Sequence, residues 1–292
     1  DIGYLGRNNC NYLRYQVNRR IGTYPEDSRY AGSFWRYAAS IRYNDRGQHL
    51  WDAVAVNRSS EMRGGGSEFW DIALYTAGYD DLILRGNGVV KVPEKVYAYY
   101  ESFWPKKKHW AFYVESRLAA EGLDGAKGAG AYLYLEPQYH FNDRMNLSFG
   151  MWMQRAPDWL LWQGGNQLAS FDADTLQVNA SFNWIIGSRQ ELRVKLQAIG
   201  LDARMEQAWR VSADGTPVRS NDPVDDFSLR NLGFQVRYRY ELAPLSDLYV
   251  VYARGGAMFD EYSRSAMDQL SDSFDLRDDE QLLVKLSYRF EI

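Results

Sequence analysis

Residues 175–187 read TLQVNASFNWIIG, and apolar and polar side chains alternate along most of this stretch. Apolar side chains occupy the even positions from Leu176 to Ile186, whereas hydroxyl and amide groups occupy the odd positions from Thr175 to Asn183. Successive side chains of a β-strand point to opposite faces, so the pattern predicts a strand with one apolar and one polar face. A strand needs about 9 to 11 residues to cross a bilayer at a tilt, against about 5 or 6 in soluble sheets. The stretch therefore favours a membrane-spanning strand.

The same alternation recurs towards the C-terminus. Residues 231–242 place Arg237, Arg239 and Glu241 on one face and apolar side chains on the other. Residues 282–292 repeat the division, with apolar and aromatic side chains at the even positions. Alternation by itself fits both a soluble sandwich, with its charges in bulk water, and a wide barrel, with its charges in a wet lumen. The length of the segments favours the barrel.

Period-two alternation extends over nearly the whole chain, and a helical period is hard to find in it. We predict an all-β fold, an antiparallel transmembrane β-barrel with about 12 to 14 strands in this chain as part of a larger barrel. The predicted strands are residues 11–21, 32–44, 49–57, 68–78, 95–104, 109–118, 131–141, 145–154, 175–187, 190–203, 229–242, 247–255 and 281–292.

The predicted connections alternate in length in the C-terminal half. Short connections lie at 142–144, 187–190 and 243–246, and long polar ones lie at 155–174, 204–228 and 256–280. Outer-membrane barrels have short periplasmic turns and long external loops, so the long segments are predicted to be external loops. Thirteen strands is an odd number where such barrels usually have an even one. Either residues 201–212 form a further strand, or the first strand joins a sheet that begins before Asp1.

The composition excludes several classes of protein. The 292 residues fit one domain spanning 1–292, and the formal net charge of -4 arises from 34 basic and 38 acidic residues spread evenly, which argues against a nucleic-acid partner. Aromatic residues make up 15%, with 22 Tyr and 10 Trp, as expected of aromatic girdles at membrane interfaces. Cys10 is the single cysteine, which excludes an internal disulfide and a cysteine-based metal cluster. No run approaches the roughly 18 consecutive apolar residues of a transmembrane helix.

Three stretches stand out as motifs: GYLGRN at 3–8, DDLILRG at 80–86 and YELAPLSDLYVVY at 240–252, of which the last is the most specific. They resemble an uncharacterised family of Gram-negative outer-membrane barrel proteins, often described as carbohydrate-binding family 9 domain-containing proteins. The resemblance implies that longer members have an N-terminal β-sandwich, similar to a carbohydrate-binding module, before a barrel that ends in an aromatic strand. This chain resembles the later part of that barrel. The resemblance therefore implies a location rather than an activity.

Basic side chains on the polar faces of the C-terminal strands are the main candidates for a site. They are predicted to line the lumen and are Arg193, Lys195, Arg237, Arg239, Lys285 and Arg289. Because their strands are predicted neighbours, they would form a basic wall that favours anionic solutes. Alternatively, they pair with Glu191, Glu241 and Glu291 as a structural network that fills a narrow barrel.

The three histidines favour structural roles. His49, His109 and His140 have no other His or Cys at ligand spacing, so no metal site is predicted. His140 lies beside Glu136 and Gln138 on a polar strand face. We expect it to be hydrogen-bonded to its neighbours rather than catalytic, because no spacing here indicates a catalytic geometry.

Three other motifs also have structural interpretations. RGGGS at 63–67 lacks the lysine and helix of a phosphate loop and predicts a hairpin turn. The aromatic WLLW at 159–162, in a predicted external loop, is expected to plug the lumen or rest on the lipid interface rather than to stack on sugars. The acidic runs at 225–226 and 278–280 are interpreted as solvated loop charges rather than a calcium site.

Two functions remain open at this point. The first is a non-enzymatic channel or uptake barrel of the cell outer membrane, with a polar lumen for small polar or carbohydrate-like solutes. The second is a plugged structural barrel that docks a partner protein or a lipoprotein. No catalytic residue, metal or cofactor is predicted. The expected partners are outer-membrane lipid, the barrel assembly machinery, which would read Phe290 as an assembly signal, and another chain or an upstream segment that completes the barrel.

Overall fold

The computed structural model describes residues 9–120, 122–125 and 129–290. In chain order the strands and the helix are β1 Asn11–Ile21, β2 Tyr30–Tyr43, β3 His49–Met62, β4 Ser67–Tyr75, β5 Gly78–Asp80, β6 Val90–Val92, β7 Lys95–Lys107, β8 Trp110–Ala120, β9 Ala129–Asn142, β10 Met145–Gly164, β11 Gln167–Gly187, β12 Gln190–Val211, β13 Pro217–Ser220, β14 Phe227–Ala243, β15 Ser246–Asp260, α1 Ala266–Ser273 and β16 Asp279–Ser287. No helix in these ranges is long and apolar enough to cross a membrane.

One large antiparallel sheet contains fourteen of the strands. Its order is β1-β2-β3-β4-β7-β8-β9-β10-β11-β12-β14-β15-β16, with β13 paired beside β12, and β5 and β6 form a separate hairpin. Each of the thirteen segments predicted from alternation overlaps one strand on this path. The all-β antiparallel fold is therefore confirmed, because period-two patterning reports the pleat of each strand directly. The motif at 3–8 and the last two residues of the predicted final strand lie outside the described residues.

The two ends of the sheet differ in how they connect the strands. At one end, here called the short-turn end, two-residue turns at 108–109, 143–144, 188–189 and 244–245 join successive strands, and residues 63–66 turn between β3 and β4. The opposite, long-connection end carries the β5–β6 hairpin, residues 122–125, β13 and α1. The predicted short connections and the predicted hairpin turn at 63–67 are confirmed. The asymmetry is less regular in the first hundred residues, where the eight residues 22–29 lie at the short-turn end and the five residues 44–48 lie at the long-connection end.

The predicted external loops are wrong in most of their length. Residues 155–174 mostly continue β10 and β11, which meet at a turn of residues 165–166. Residues 201–212 are not a separate strand but the continuation of β12 as far as Val211. These segments are rich in Asp, Gly and Ser, which suggested loops, but most of their residues pair in the sheet and the Arg204 guanidinium bonds Asp172 and Asp174 across strands. Interstrand pairing thus overrides local composition.

The third predicted loop contains the single helix of the described part of the chain. Ser265 caps α1 by accepting a hydrogen bond from the Asp268 backbone N–H at 3.2 Å. The helix lies on the apolar face of the sheet at its long-connection end, against Gly200, where a Cβ atom would approach the Ala266 carbonyl oxygen to 2.2 Å. The fully buried Gln269 donates to the Ser228 hydroxyl at 2.6 Å and accepts from the Arg230 guanidinium at 2.7 Å. A helix of eight residues is too short for its 3.6-residue periodicity to be recognised in the sequence, and tertiary contacts of this kind stabilise it.

Register places like side chains next to one another across the sheet. The apolar positions form continuous rows, one of which is Trp110, Tyr139, Leu147, Phe182, Val194, Val236, Tyr252 and Leu282, each directly opposite the next. We call the side that carries this row the apolar face and the opposite side the polar face. Many side chains of the apolar face are exposed, among them Phe149 and Leu282.

The sheet has two unpaired edges within the described residues. The side chains of β1 and β16 are exposed almost throughout, and neither strand pairs with the other. The backbone N–H and C=O groups along these edges therefore remain available for another strand. No closed barrel forms from the described residues alone.

Candidate functional site

The polar face carries a row of large polar side chains across its N-terminal half. Each residue of the row is directly opposite the next on the neighbouring strand: Arg36, Asn57, Asp71, Tyr99, Arg117, Tyr132 and Gln154. These side chains come from seven strands between β2 and β10, so their proximity depends on register rather than on sequence distance. The row gives the polar face a dense hydrogen-bonding surface near the long-connection end.

Tyrosine hydroxyls and glutamates hold one another in place along this face. Glu115 accepts hydrogen bonds from Tyr132 at 2.5 Å and from Tyr113 at 3.0 Å, and Tyr99 donates to Glu101 at 2.8 Å. Hydrogen bonds to a carboxylate are stronger than those between neutral groups. The tyrosine rings are consequently fixed in orientation.

A cavity of about 480 Å³ lies between the polar face and the segment 76–94, which we call the roof. Its floor includes Trp51, Tyr75 and Tyr132, contributed by β3, β4 and β9. This volume falls within the range of about 300 to 1,000 Å³ typical of small-molecule sites. Such sites occur, among other places, at the mouths of β-barrels.

The aromatic rings of the floor contact neighbouring aromatic and arginine side chains. Trp51 packs edge-on against Tyr75 with ring centroids 5.1 Å apart, and the Arg42 guanidinium lies 4.1 Å from the Trp51 ring centroid. Tyr132 stacks on Trp152 at 4.0 Å. Stacking and cation–π contacts of this kind stabilise a ring in one position. The floor is therefore rigid.

The polar lining of the cavity contains equal numbers of acidic and basic side chains. The acidic side chains are Asp80, Glu94 and Asp158, and the basic side chains are Lys95, Arg117 and Arg155. Asp158 is only 6% exposed and has a φ of 61°, in the left-handed region, at a bulge in β10. Non-glycine residues rarely adopt this conformation, and it concentrates at functional sites.

The roof is anchored by a hydrophobic core at the long-connection end. Its buried members, which we call the roof cluster, are Leu84, Val90, Leu168, Trp209 and Val211. Leu84 lies within the DDLILRG motif, so this motif forms part of the roof. At the start of the roof, β5 crosses β3 so closely that a Cβ atom on Gly78 would lie 1.8 Å from the Leu50 carbonyl oxygen. Only glycine fits there.

These contacts define a sheet with a roofed cavity on its polar face. A family model described as a domain of unknown function (DUF5916) matches residues 1–291. The chain belongs to this family. No curated protein matches it. The resemblance seen in the sequence is thus confirmed as membership of a domain family of unknown function, while the outer-membrane and carbohydrate-binding associations stay predictions.

Five of the six basic residues proposed for the lumen of this DUF5916 chain lie on strands of the polar face, and Arg289 follows β16. Arg193 and Arg237 are directly opposite each other, and Lys195 is opposite Gln235 on the same two strands. Like charges in opposed positions repel, so each needs an acidic partner or water. The roofed cavity lies elsewhere on the face and does not include this group.

The remaining members of the set are partly paired. Arg193 donates to Glu191, and Arg239 donates to Asp247 at 2.9 Å. Lys285 is on β16, opposite Tyr249, on the polar face. Arg289 follows β16, and its backbone N–H donates to the Ser246 hydroxyl at 3.0 Å. The pair of Arg193 with Glu191 favours the structural alternative for Arg193, whereas Arg239 pairs with Asp247 rather than with Glu241. Glu291 lies outside the described residues.

The histidines and acidic runs form no metal centre in the described ranges, where no group of three or more His, Cys, Asp or Glu is placed to hold a metal ion. His49 lies 2.8 Å from an Asp52 oxygen, and the His109 Nδ1 atom lies 2.8 Å from the His140 carbonyl oxygen. Asp226 accepts from the Met205 backbone N–H at 2.7 Å. These groups therefore have local structural partners.

The WLLW motif lies in a strand and not in the predicted loop. Its residues belong to β10, where Trp159 and Leu161 pack against the buried Phe171, and Trp162 packs against the roof cluster. The motif contributes Trp159 and Leu160 to the cavity lining. The prediction of a lumen plug or a lipid contact in a loop is wrong about the loop, because the segment is a paired strand.

The sequence did not single out Trp51, Tyr75, Arg117 or Tyr132. The signal that was available is their position in the alternation, which puts large aromatic and charged residues on the polar side of four strands. Nothing in the sequence reveals which strands are aligned at the same height. Register alone brings these residues together.

A charged tether connects the roof to the turn after β12. The Lys91 Nζ atom donates to Asp214 Oδ2 at 2.7 Å and to the Thr216 hydroxyl at 2.9 Å. The hydrogen bond from Lys91 is the main cause that lowers the pKa of Asp214, with Ser212 and Thr216 contributing further bonds. In the same region, Arg210 lowers the pKa of Asp222 to about 2.

The lowered pKa of Asp214 predicts acid loosening of the roof. A carboxyl group with a lower pKa in the folded state stabilises the fold above its unfolded pKa, about 3.9, and loses that contribution as pH falls towards the folded value. We expect hydrogen exchange of residues 78–92, corrected for its intrinsic pH dependence, to become faster below about pH 4.

The control compares two carboxyl groups. In Asp214→Asn the pH response of residues 78–92 should largely disappear, whereas Asp222→Asn should keep it because Asp222 bonds Arg210 and not the roof. An unchanged acid response in Asp214→Asn would show that another group controls the roof.

Proposed function

We propose that this chain forms part of the wall of an outer-membrane β-barrel whose polar face lines a lumen for small polar or carbohydrate-like solutes. The observation that carries the proposal is the continuous apolar face. Leu147, Phe182 and Val194 are consecutive partners in a row that crosses eight strands, and Leu147 is 40% exposed. A soluble protein rarely leaves such an area of apolar side chains in water, whereas a membrane barrel needs it.

Aromatic side chains at one border of the apolar face support the same proposal. Trp35 and Trp70 make an edge-to-face contact at 5.4 Å near the short-turn end. Trp110 and Tyr139 make another at 4.8 Å on neighbouring strands. Trp and Tyr are enriched where a barrel meets the membrane interface, because their rings have an apolar body and a polar group.

The unpaired edges of β1 and β16 require a partner in this setting. Backbone groups in the hydrocarbon of a membrane have no water to bond, so open edges are not tolerated there. The proposed partners are outer-membrane lipid on the apolar face and another chain or an upstream segment along the edges. The barrel assembly machinery is proposed to insert the sheet.

Ion conductance tests the channel function. Protein purified from outer membranes and reconstituted in planar bilayers should produce stable open levels with a conductance that scales with salt concentration, as a water-filled lumen requires. Absence of any stable level in protein that is folded and inserted would contradict a channel.

A plugged structural barrel is the second candidate, and one observation favours it. The roof is fixed by the roof cluster and by the bond between Lys91 and Asp214, so it covers part of the polar face firmly. A closed barrel of this type would dock a partner protein or a lipoprotein instead of passing solutes. Failure to conduct, with normal membrane insertion, supports this candidate.

Phe290 provides a test of the proposed location in the outer membrane. It is 79% exposed and follows β16, close to Tyr288 with ring centroids 5.0 Å apart. We expect Phe290→Ala to lower the amount of folded protein in outer membranes well below that of Ser287→Ala, because Phe290 is the proposed signal for the barrel assembly machinery. Heat-modifiable folded protein in membrane fractions is the measurement. Equal yields of folded protein for the two variants would contradict an assembly role of Phe290.

A further inference from the structure

We propose that the roofed cavity binds a neutral, polyhydroxylated small molecule of monosaccharide to disaccharide size. The inference rests on the proposed function, since the polar face must be reached by solutes, and it assigns to that face a specific site and ligand class. The site is the space of about 480 Å³ bounded by Trp51, Tyr132 and Gln154 below and by the roof above.

The floor suits the flat, weakly apolar faces of a sugar ring. Trp51, Tyr75 and Tyr132 are partly exposed and line the cavity, while Arg42 contacts the Trp51 ring and Trp152 stacks on the Tyr132 ring. A ring with one amphipathic surface stacks on an aromatic side chain without losing its hydroxyl groups to an apolar environment. Because the aromatic rings are already fixed, binding orders few side chains.

The charges of the lining favour a neutral ligand. Three carboxylates and three basic side chains balance one another, so an anion or a cation would meet an unfavourable partner on one side of the cavity. A ligand with hydroxyl groups donates to carboxylates and accepts from guanidinium and amide groups at the same time. Arg117, Gln154 and Asp158 present these groups from three different parts of the wall.

The roof makes the site selective by size. The roof cluster and the close approach of Gly78 to Leu50 hold it over the floor, so the volume does not expand freely. Asp158, in its left-handed conformation beside Gly122, closes one side of the space. A small sugar fits within the roofed volume of about 480 Å³, whereas a polymer would extend beyond it.

Isothermal titration tests the inference with folded protein in detergent. The probes are glucose, maltose and sucrose as neutral sugars, with glucuronate and glucosamine as charged molecules of similar size. We expect saturable binding of at least one neutral sugar and at least ten-fold weaker binding of both charged probes. Trp51→Ala should weaken the neutral sugar at least ten-fold, and Trp51→Phe should retain most of the affinity.

The matched control is Trp110→Ala, which removes a tryptophan from the apolar face and should leave sugar affinity unchanged. Gln154→Leu gives a second variant for the case in which Trp51→Ala does not fold, and it should also weaken binding. Saturable sugar binding without conductance would support the cavity and contradict the channel. Conductance without binding of any neutral probe, or tighter binding of a charged probe, would overturn the cavity proposal and leave the channel standing.

Discussion

Ala180→Arg is expected to reduce the stability of the protein folded in lipid vesicles by about 2 to 4 kcal/mol, whereas Ser181→Arg should reduce it little. The two residues are neighbours on β11 with side chains on opposite faces of the sheet. Ala180 lies on the apolar face, opposite Phe149 and Leu196, midway along the apolar row of its strand. An arginine there would have to enter hydrocarbon, while an arginine at 181 would join Ser148 and Lys195 on the polar face.

Denaturant titration of folding into vesicles measures both values under one condition. Ser181→Ala serves as a control for the hydroxyl contact between Ser181 and Ser148, which is 2.8 Å long. Equal losses for the two arginine variants, or a larger loss for Ser181→Arg, would falsify the assignment of the apolar face to lipid.

Leu84→Ala is expected to release the roof from the sheet. Leu84 is 1% exposed in the roof cluster, and truncation of a buried leucine to alanine typically costs about 2 to 5 kcal/mol because it removes apolar contacts and leaves a cavity. The loss should be local, since the roof is a short hairpin seated on an independently paired sheet. Limited proteolysis within residues 81–89 should become much faster, while the strand content by circular dichroism should stay the same.

Leu82→Ala is the matched control, because Leu82 lies two residues away in the same segment and is 57% exposed. It should change proteolysis little, as surface substitutions usually do. If both variants were cut at the rate of the unaltered protein, the roof cluster would not be what holds the roof.

The strands could be predicted from the sequence because their information is local. From Thr175 to Trp184, the polarity of each side chain indicates which face it occupies, and no knowledge of the rest of the chain is needed. The positions at which the strands end were harder to predict. Residues 155–174 have the composition of a loop, yet they pair in register across a bulge after Ala156, and long-range pairing decides their structure.

The candidate site could not be predicted in the same way. Trp51 and Tyr132 are 81 positions apart in the numbering, and their common cavity depends on the register of every strand between them. Four members of the basic set that the sequence favoured lie on the adjacent strands β12 and β14, so charge patterning was enough to group Arg193 with Arg237. Patterning contains no information about the roof, because Leu84 and Trp209 meet only through tertiary packing.

The bond between Lys91 and Asp214 also has a consequence for the order of folding. The two residues are 123 positions apart. The roof is therefore synthesised before β7 to β12, and it cannot bind to the sheet until those strands have formed. Contacts of such high sequence separation form late because the closure of a long loop is entropically costly. We therefore expect the cavity to be the last region of this chain to mature, and a kinetic intermediate with a formed sheet and a detached roof to be the form most exposed to proteases during biogenesis.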